Sequence, residues 1–111
     1  MTKVYISGKI SGNSHYKKDF KKAKKLFPKK DFSILMPTYL DCILDYEDYM
    51  KIDFAMISVC DYILVLNNYK DSPGALREID HAIKNGVRVV FENNIDIILK
   101  NKAVYKNDRN L

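Results

Sequence analysis

Residues 71–78 (DSPGALRE) combine the start of a helix with an acidic side chain. Ser72 suits an N-cap, Pro73 suits the first helical position, and Gly74 allows a close backbone approach. The free amides at such a helix start favour an anion, so a phosphate or a carboxylate would fit there. Glu78 follows one turn later, and its carboxylate would reach the same cleft. The alternative is a glutamate that only interacts with the helix dipole.

Two aspartates lie among apolar residues, although a buried carboxylate is costly unless it is hydrogen bonded or paired. Asp53 has only apolar neighbours at helical spacing, and Asp61 begins the most apolar strand of the chain. Together with Glu78 and Tyr5 they would suit glycosidic chemistry, in which one carboxylate attacks the sugar and an acid assists the leaving group. Structural roles are the alternative: Asp53 would cap a loop, and Asp61 would accept backbone amides at a strand end.

A loop at residues 7–12 (SGKISG) lies between a predicted strand and a predicted helix, which is where phosphate-binding loops occur. Its spacing matches neither GxGxxG nor the P-loop pattern, so both of those motifs are excluded. Gly8 and Gly12 would let the backbone approach a ligand, and Ser7 and Ser11 would donate hydrogen bonds. An ordinary strand-to-helix turn is the alternative.

We expect no metal and no cofactor. Cys42 and Cys60 lack a zinc-type spacing, and His15 and His81 are far apart in the chain. The acidic residues at 41–48 lack the glycine of a calcium loop, and no serine lies in a GxSxG elbow. Both cysteines are expected to be reduced and buried.

Predicted strands and helices alternate along the chain, and these elements must position the side chains described above. The predicted strands cover residues 3–7, 32–36, 61–66 and 87–91, with a possible last strand at 103–105. The predicted helices run from a cap at Asn13 or Ser14 to residue 27, over 46–59, over 72–85, and over a short segment at 95–101. Alternation at this spacing predicts an α/β fold with an open, mostly parallel, Rossmann-like or flavodoxin-like sheet of four or five strands and helices on both faces. Ligands bind beyond the carboxyl ends of such strands, so the loops at 7–15, 37–45 and 67–74 would form the site.

The composition indicates one folded domain over residues 1–111, since 47% of the residues are hydrophobic and 30% are charged. No membrane span or signal-type segment is apparent, so we expect a cytoplasmic protein with no membrane partner. The net charge of +5 arises from residues 17–30, which hold eight lysines and one aspartate around the solvated side of a predicted helix. Because the aromatic residues of this segment lie on the apolar side of the helix and none lies on the lysine side, nucleic acid is not the expected partner.

The helix predicted at 46–59 is apolar around most of its circumference. Ten of the fifteen residues from 46 to 60 are apolar or aromatic. One face of a sheet cannot cover all of them, so we expect a homo-oligomer, at least a dimer, with this helix in the interface. In the alternative, the 38–45 loop and the C-terminal tail cover the helix of a monomer.

Five segments together resemble the nucleoside 2-deoxyribosyltransferase-like superfamily, and within it the short, uncharacterised members that are often carried by phages. These segments are residues 5–12 (YISGKISG), 36–38 (MPT), 49–53 (YMKID), 60–61 (CD) and 72–78 (SPGALRE). The enzymes of this superfamily cleave the N-glycosidic bond of nucleosides or nucleoside 5′-monophosphates. They transfer the deoxyribosyl group to another base or to water.

The resemblance implies roles for individual residues. Glu78 is similar to the nucleophile that attacks C1′, Tyr5 to the hydroxyl that holds this carboxylate, and Asp61 to the acid near the leaving base. Ser72 and the loop at 7–12 resemble a 5′-phosphate site, which favours nucleotides over nucleosides. The implied substrate-binding residues are Ser7, Gly8, Ile10, Ser11, Gly12, Asp53, Ser72 and Gly74.

The resulting hypothesis is an N-glycosidase or deoxyribosyltransferase that acts on a small nucleotide or nucleoside through a glycosyl-Glu78 intermediate. The main alternative is a nucleotide-like ligand-binding protein without turnover, and release of free base would distinguish the two. A third possibility is a basic nucleic-acid accessory protein that uses residues 17–30.

Overall fold

The computed structural model describes residues 1–40 and 42–101. Four strands are present there: β1 (Thr2–Ser7), β2 (Phe32–Leu35), β3 (Tyr62–Val65) and β4 (Arg88–Phe91). The helices are α1 (Tyr16–Lys24), α2 (Tyr46–Ser58), α3 (Pro73–Lys84) and α4 (Asp96–Lys100), with 3₁₀ turns at Pro37–Tyr39, Tyr69–Asp71 and Glu92–Asn94. The predicted order of elements is confirmed as far as residue 101, and the possible strand at 103–105 lies outside the described residues.

The four strands form one open, parallel sheet in the order β2-β1-β3-β4. The predicted α/β fold is therefore confirmed. From β1 the chain first moves to β2 on one side and later to β3 on the other, so the winding direction changes between β1 and β3. The crevice beyond the carboxyl ends of β1 and β3 is where ligands bind in sheets of this type.

Side chains alternate across the sheet and form two apolar layers. Val4, Ile6 and Leu64 pack with α1 and α4 on one face. Tyr5, Ile63 and Val65 pack with α2 and α3 on the other face. Helices therefore cover both faces, and the odd-numbered residues of β1 face α2 and α3.

The start of α1 differs from the prediction. The helix begins at Tyr16, and its N-cap, His15, makes no side-chain capping hydrogen bond. Asn13 lies two residues before this N-cap. Its Oδ1 accepts the His15 amide at 3.1 Å, and its side-chain amide donates to the Lys9 carbonyl oxygen at 3.0 Å and to Asp19 at 3.1 Å. The helix ends at Lys24, and Phe27 is buried in the turn that follows.

The two cysteines are both free thiols, but they differ in environment. Cys60 is buried after α2, and burial raises the pKa of its thiol to about 12. The prediction that both are buried is wrong for Cys42, which is exposed in the loop that precedes α2. Among the helices of the described residues, none has both the length and the apolar character that crossing a membrane requires.

Candidate active site

The carboxyl half of β1 carries two hydroxyl side chains on the face covered by α2 and α3. Tyr5 pairs in register with Ile63, and Ser7 pairs with Val65. Both hydroxyl residues are fully buried. Because residues 5 and 7 share strand parity, their hydroxyl groups lie on the same side of the sheet and next to the crevice between β1 and β3.

Glu78 of α3 receives hydrogen bonds from both of these hydroxyl groups. The Tyr5 hydroxyl donates to Oε2 at 2.5 Å, and the Ser7 hydroxyl donates to Oε1 at 2.7 Å. The Glu78 side chain belongs to the second turn of α3, and only 3% of the residue is exposed. The helix presents this carboxyl group to the sheet, and the two donors fix the orientation of its plane.

Asp53 of α2 is the second carboxyl group at this position. The residue is 5% exposed, and its side chain forms a hydrogen bond with Glu78. Its Oδ1 atom has no hydrogen-bond partner in the described part of the chain. The structure thus brings four of the predicted site residues together: Tyr5, Ser7, Asp53 and Glu78.

Burial governs the protonation of this cluster. Desolvation raises the pKa of Glu78 to about 8, although the hydrogen bonds from Tyr5 and Ser7 act in the opposite direction. Desolvation also raises the pKa of Asp53, and the hydrogen bond to Glu78 lowers it in part. Two carboxyl groups in contact do not ionise together readily, so the pair holds one proton near neutral pH. Burial and the neighbouring carboxylates raise the pKa of Tyr5 as well, which keeps its hydroxyl group a donor.

Two carboxyl groups that share one proton can perform two different chemical tasks. The ionised member can act as a nucleophile, and the protonated member can give a proton to a leaving group. The hydroxyl groups of Tyr5 and Ser7 hold Glu78 for the first task. In the described residues, no group of three or more His, Cys, Asp or Glu side chains could hold a metal ion.

The first turn of α3 has the predicted capping arrangement. Ser72 is the N-cap, and its Oγ accepts a hydrogen bond from the Ala75 amide at 3.2 Å. Pro73 occupies the first helical position. A methyl group at Gly74 would lie 3.5 Å from the Tyr46 hydroxyl oxygen of α2, so glycine here leaves room between the two helices. Ser72 precedes Glu78 by about 1.7 helical turns and lies at the same edge of the sheet.

The loop at 8–12 is held close to the end of β3. A methyl group at Gly8 would lie only 3.0 Å from Leu66 Cδ1, so any larger residue here would require the Leu66 side chain to shift. Gly12 has a φ of 75°, a conformation that favours glycine. Ser11 and Gly12 are exposed, whereas the Ile10 side chain packs against the α1 layer.

Lys9 ties this loop to the segment before α3, and the sequence did not single it out. Its amide donates to Asn68 Oδ1 at 3.1 Å, and its ammonium group forms a 2.7 Å ion pair with Asp71. Both loops were predicted to border the site. The opposite charges of Lys9 and Asp71 could therefore have indicated that these two residues pair across it.

Asp61 is not brought to the Glu78 cluster. It precedes β3, and its Oδ2 accepts the Lys3 amide at 2.8 Å at the amino edge of the sheet. A cavity of about 320 Å³ at that edge is lined by Asp61 and Arg88. This placement matches the structural alternative for Asp61, an acceptor of a backbone amide at a strand end. Parallel strands gather ligand-binding side chains at their carboxyl ends, and Asp61 lies at the other end.

Comparison with known proteins agrees with this architecture. A solved structure of the 2-deoxyribosyltransferase from the psychrotolerant bacterium Bacillus psychrosaccharolyticus is similar with a TM-score of 0.64 and 19% sequence identity, covering 81% of this chain and 71% of that chain. This similarity shows a common fold. No curated protein matches the sequence significantly. Residues 2–91 match the family described as "Domain of unknown function (DUF4406)". Because that match spans most of the sequence, the chain belongs to the DUF4406 family.

Proposed function

We propose that this protein is a member of the nucleoside 2-deoxyribosyltransferase-like superfamily that cleaves the N-glycosidic bond of a small nucleoside or nucleoside 5′-monophosphate. The observation that carries the proposal is the buried Asp53–Glu78 carboxyl pair, in which Tyr5 and Ser7 orient Glu78. The fold of a solved 2-deoxyribosyltransferase supports the same chemistry.

In the proposed reaction, Asp53 takes the proton of the pair, and a carboxylate oxygen of Glu78 attacks C1′ of the sugar. A bond forms between this oxygen and C1′, and the bond from C1′ to the base nitrogen breaks. Asp53 gives its proton to the leaving base. Water or a second base then attacks C1′, returns a proton to Asp53 and releases Glu78. Asp53 therefore takes the acid role that the sequence assigned to Asp61.

We further propose that a 5′-phosphate binds between the start of α3 and the loop at 8–12. The residues at this position are Ser72 and Gly74 on one side and Gly8, Ser11 and Gly12 on the other. The amides at the start of α3 favour negative charge. A substrate whose phosphate is held there would extend from the edge of the sheet toward Glu78. This orientation would place the sugar of a nucleotide next to the carboxyl pair.

The test is to incubate the protein with a panel of nucleosides and nucleoside 5′-monophosphates, with and without an acceptor base. Chromatography then measures free base and exchanged nucleoside. The Glu78→Gln variant keeps the size of the side chain and is expected to lose base release by several orders of magnitude. Glu47→Gln is the matched control, since Glu47 is exposed and pairs with Arg77 on the surface. Near-normal turnover by Glu78→Gln would rule out the glycosyl-enzyme mechanism.

A ligand-binding protein without turnover is the second candidate. The raised pKa of Glu78, about 8, favours it because a protonated carboxyl group is not a nucleophile. For this candidate, calorimetry would detect nucleotide binding, and no free base would form at any pH at which the protein remains folded. Release of base that depends on Glu78 would exclude it.

A further inference from the structure

The solvent-facing side of α1 and of the turn that follows it carries a charge that the described residues do not neutralise. We call it the lysine surface, and it comprises Lys17, Lys18, Lys21, Lys22, Lys24, Lys25, Lys29 and Lys30. None of these lysines forms a salt bridge with a carboxylate of residues 1–40 or 42–101. Asp19, the one acidic residue among them, accepts a hydrogen bond from Asn13. The positive charge is therefore available to a partner.

The position of α1 is fixed by its apolar side. Phe20 and Ala23 are buried against the sheet, together with Phe27 from the following turn. The apolar side of α1 is thus unavailable for insertion into a bilayer. A partner that binds this helix from outside would contact its lysines.

An aromatic ring from another element completes this surface. Tyr39, in the 3₁₀ turn that follows β2, is 44% exposed, and the Lys24 ammonium group lies 5.0 Å from its ring centroid. Lys17, Lys21 and Lys24 are spaced at i, i+4 and i+7, so they form one row along α1 that ends at Tyr39. The sequence disfavoured nucleic acid because the lysine side of the helix has no aromatic residue of its own. In the structure, Tyr39 of another element lies beside that side.

We propose that the lysine surface and Tyr39 bind single-stranded nucleic acid, independently of the Glu78 site. The row from Lys17 to Lys24 is about 10 Å long, and it offers three ammonium groups to a nucleic-acid strand. The ammonium groups would contact successive phosphates, and the Tyr39 ring would stack on an unpaired base. The opposite border of α1 is unsuitable for phosphate, because the cavity of about 240 Å³ next to Lys22 is also lined by Asp19 and Glu92.

The lysine surface lies on the opposite face of the sheet from the Glu78 cluster. Val4 and Ile6 of β1 face α1, whereas Tyr5 and Ser7 face α3. Variants of α1 therefore leave the carboxyl pair intact, and the two activities can be tested separately.

The binding test is fluorescence anisotropy with a labelled oligothymidylate at several salt concentrations. Three phosphate contacts predict a slope of log K against log salt of about −2. Lys17, Lys21 and Lys24 are replaced together by Gln, which is expected to weaken binding at least tenfold at about 50 mM salt and to flatten the slope. The matched control replaces Lys51, Lys84 and Lys100, which are exposed on α2, α3 and α4 and carry the same total charge.

Tyr39 is tested by two substitutions. Tyr39→Ala is expected to weaken binding about fivefold without changing the salt slope, whereas Tyr39→Phe keeps the ring and the affinity. Circular dichroism checks that each variant is folded. An equal loss in both triple variants would overturn the proposal, because net charge alone would then explain binding. So would binding to phosphatidylserine vesicles combined with no binding to the oligonucleotide, because the surface would then recognise a membrane.

Discussion

Glu78 is buried in contact with a second carboxyl group, so its ionisation is coupled to folding. Its folded-state pKa of about 8 lies above its ordinary value of 4.5, so the folded protein binds a proton that the unfolded chain releases between these two values. The contribution of this proton to stability is fully present below the unfolded pKa and is lost as the pH rises through the folded pKa. We predict that the protein loses roughly 2–4 kcal/mol of stability between about pH 5 and pH 8 through this group.

Urea unfolding at these pH values measures the decrease in the free energy of unfolding. Comparison with the Glu78→Gln variant separates the contribution of Glu78 from that of other groups. Gln cannot ionise, so the variant should show a smaller decline of the unfolding free energy with pH. The Asp53 carboxyl, whose pKa is also raised, contributes in the same direction and remains in the variant. Identical pH profiles for the variant and the original protein would mean that Glu78 is ionised throughout in the folded state.

The Tyr5 hydroxyl is the closest donor to Glu78, so it stabilises the charge that the nucleophile needs. We predict that Tyr5→Phe lowers base release by about 10- to 100-fold, because a hydrogen bond to a charged group contributes about 1.5–3 kcal/mol. Tyr62→Phe is the control, since its hydroxyl accepts from Asn101 on the opposite face of the sheet. Equal turnover in the two variants would remove Tyr5 from the mechanism.

The sequence predicted that Tyr5, Glu78 and two aspartates share one cleft, and the structure brings Asp53 to this cluster but not Asp61. Asp61 and Asp53 both lie among apolar residues in the sequence. This pattern indicates that a carboxyl group is buried, but it does not identify the group that the carboxyl contacts. The difference arises from the sheet, since Asp61 precedes β3 and contacts the Lys3 amide at the amino edge. Asp53 reaches Glu78 because α2 and α3 pack side by side, a relation that local spacing does not encode.

At the scale of elements, the start of α3 has both a folding role and a proposed binding role. Ser72 caps the helix, so Ser72→Ala should cost about 1 kcal/mol of stability. We predict that the same variant weakens binding of a 5′-monophosphate about tenfold more than binding of the matching nucleoside, because only the first ligand places charge at the helix start. Loss of the cap alone would weaken both ligands equally.

Calorimetry with the two ligands measures this ratio. Ser58→Ala is the control, since the Ser58 hydroxyl is exposed and donates to a carbonyl oxygen within α2. A ratio near one for Ser72→Ala would move the phosphate away from α3.

The elements that the sequence predicted best are those with strong local signals. The apolar run of β3, and the serine and proline that begin α3, both mark their elements directly. The start of α1 was less predictable, because Asn13 lies two residues before the N-cap and its side chain bonds both to the loop and to Asp19 of the helix. Tyr39 approaches Lys24 only through the pairing of β2 with β1, so no local pattern could place this ring beside α1.

At the scale of the whole molecule, α2 and α3 leave large apolar side chains exposed on their outer surfaces. The exposed fractions are 50% for Tyr46, 36% for Ile52, 54% for Val59, 46% for Leu76 and 64% for Ile83. On α2, by contrast, Met50 and Ile57 face inward and are buried. The described part of the 38–45 loop therefore leaves this surface uncovered.

We predict that a second copy of the chain covers this surface, so the protein is a homo-oligomer, at least a dimer, with α2 in the interface. A second copy fits because the surface presents exposed apolar side chains beside two ion pairs, Arg77–Glu47 and Lys84–Asp80, whose charges balance. Light scattering after size exclusion should give at least about twice the monomer mass of 12.9 kDa. Val59→Asp should shift the mass toward the monomer, because an unpaired charge would be buried between the copies. Leu26→Asp is the matched control, since Leu26 is 51% exposed on the far side of the sheet and should leave the mass unchanged. A monomer mass for the original protein at micromolar concentration would contradict the prediction.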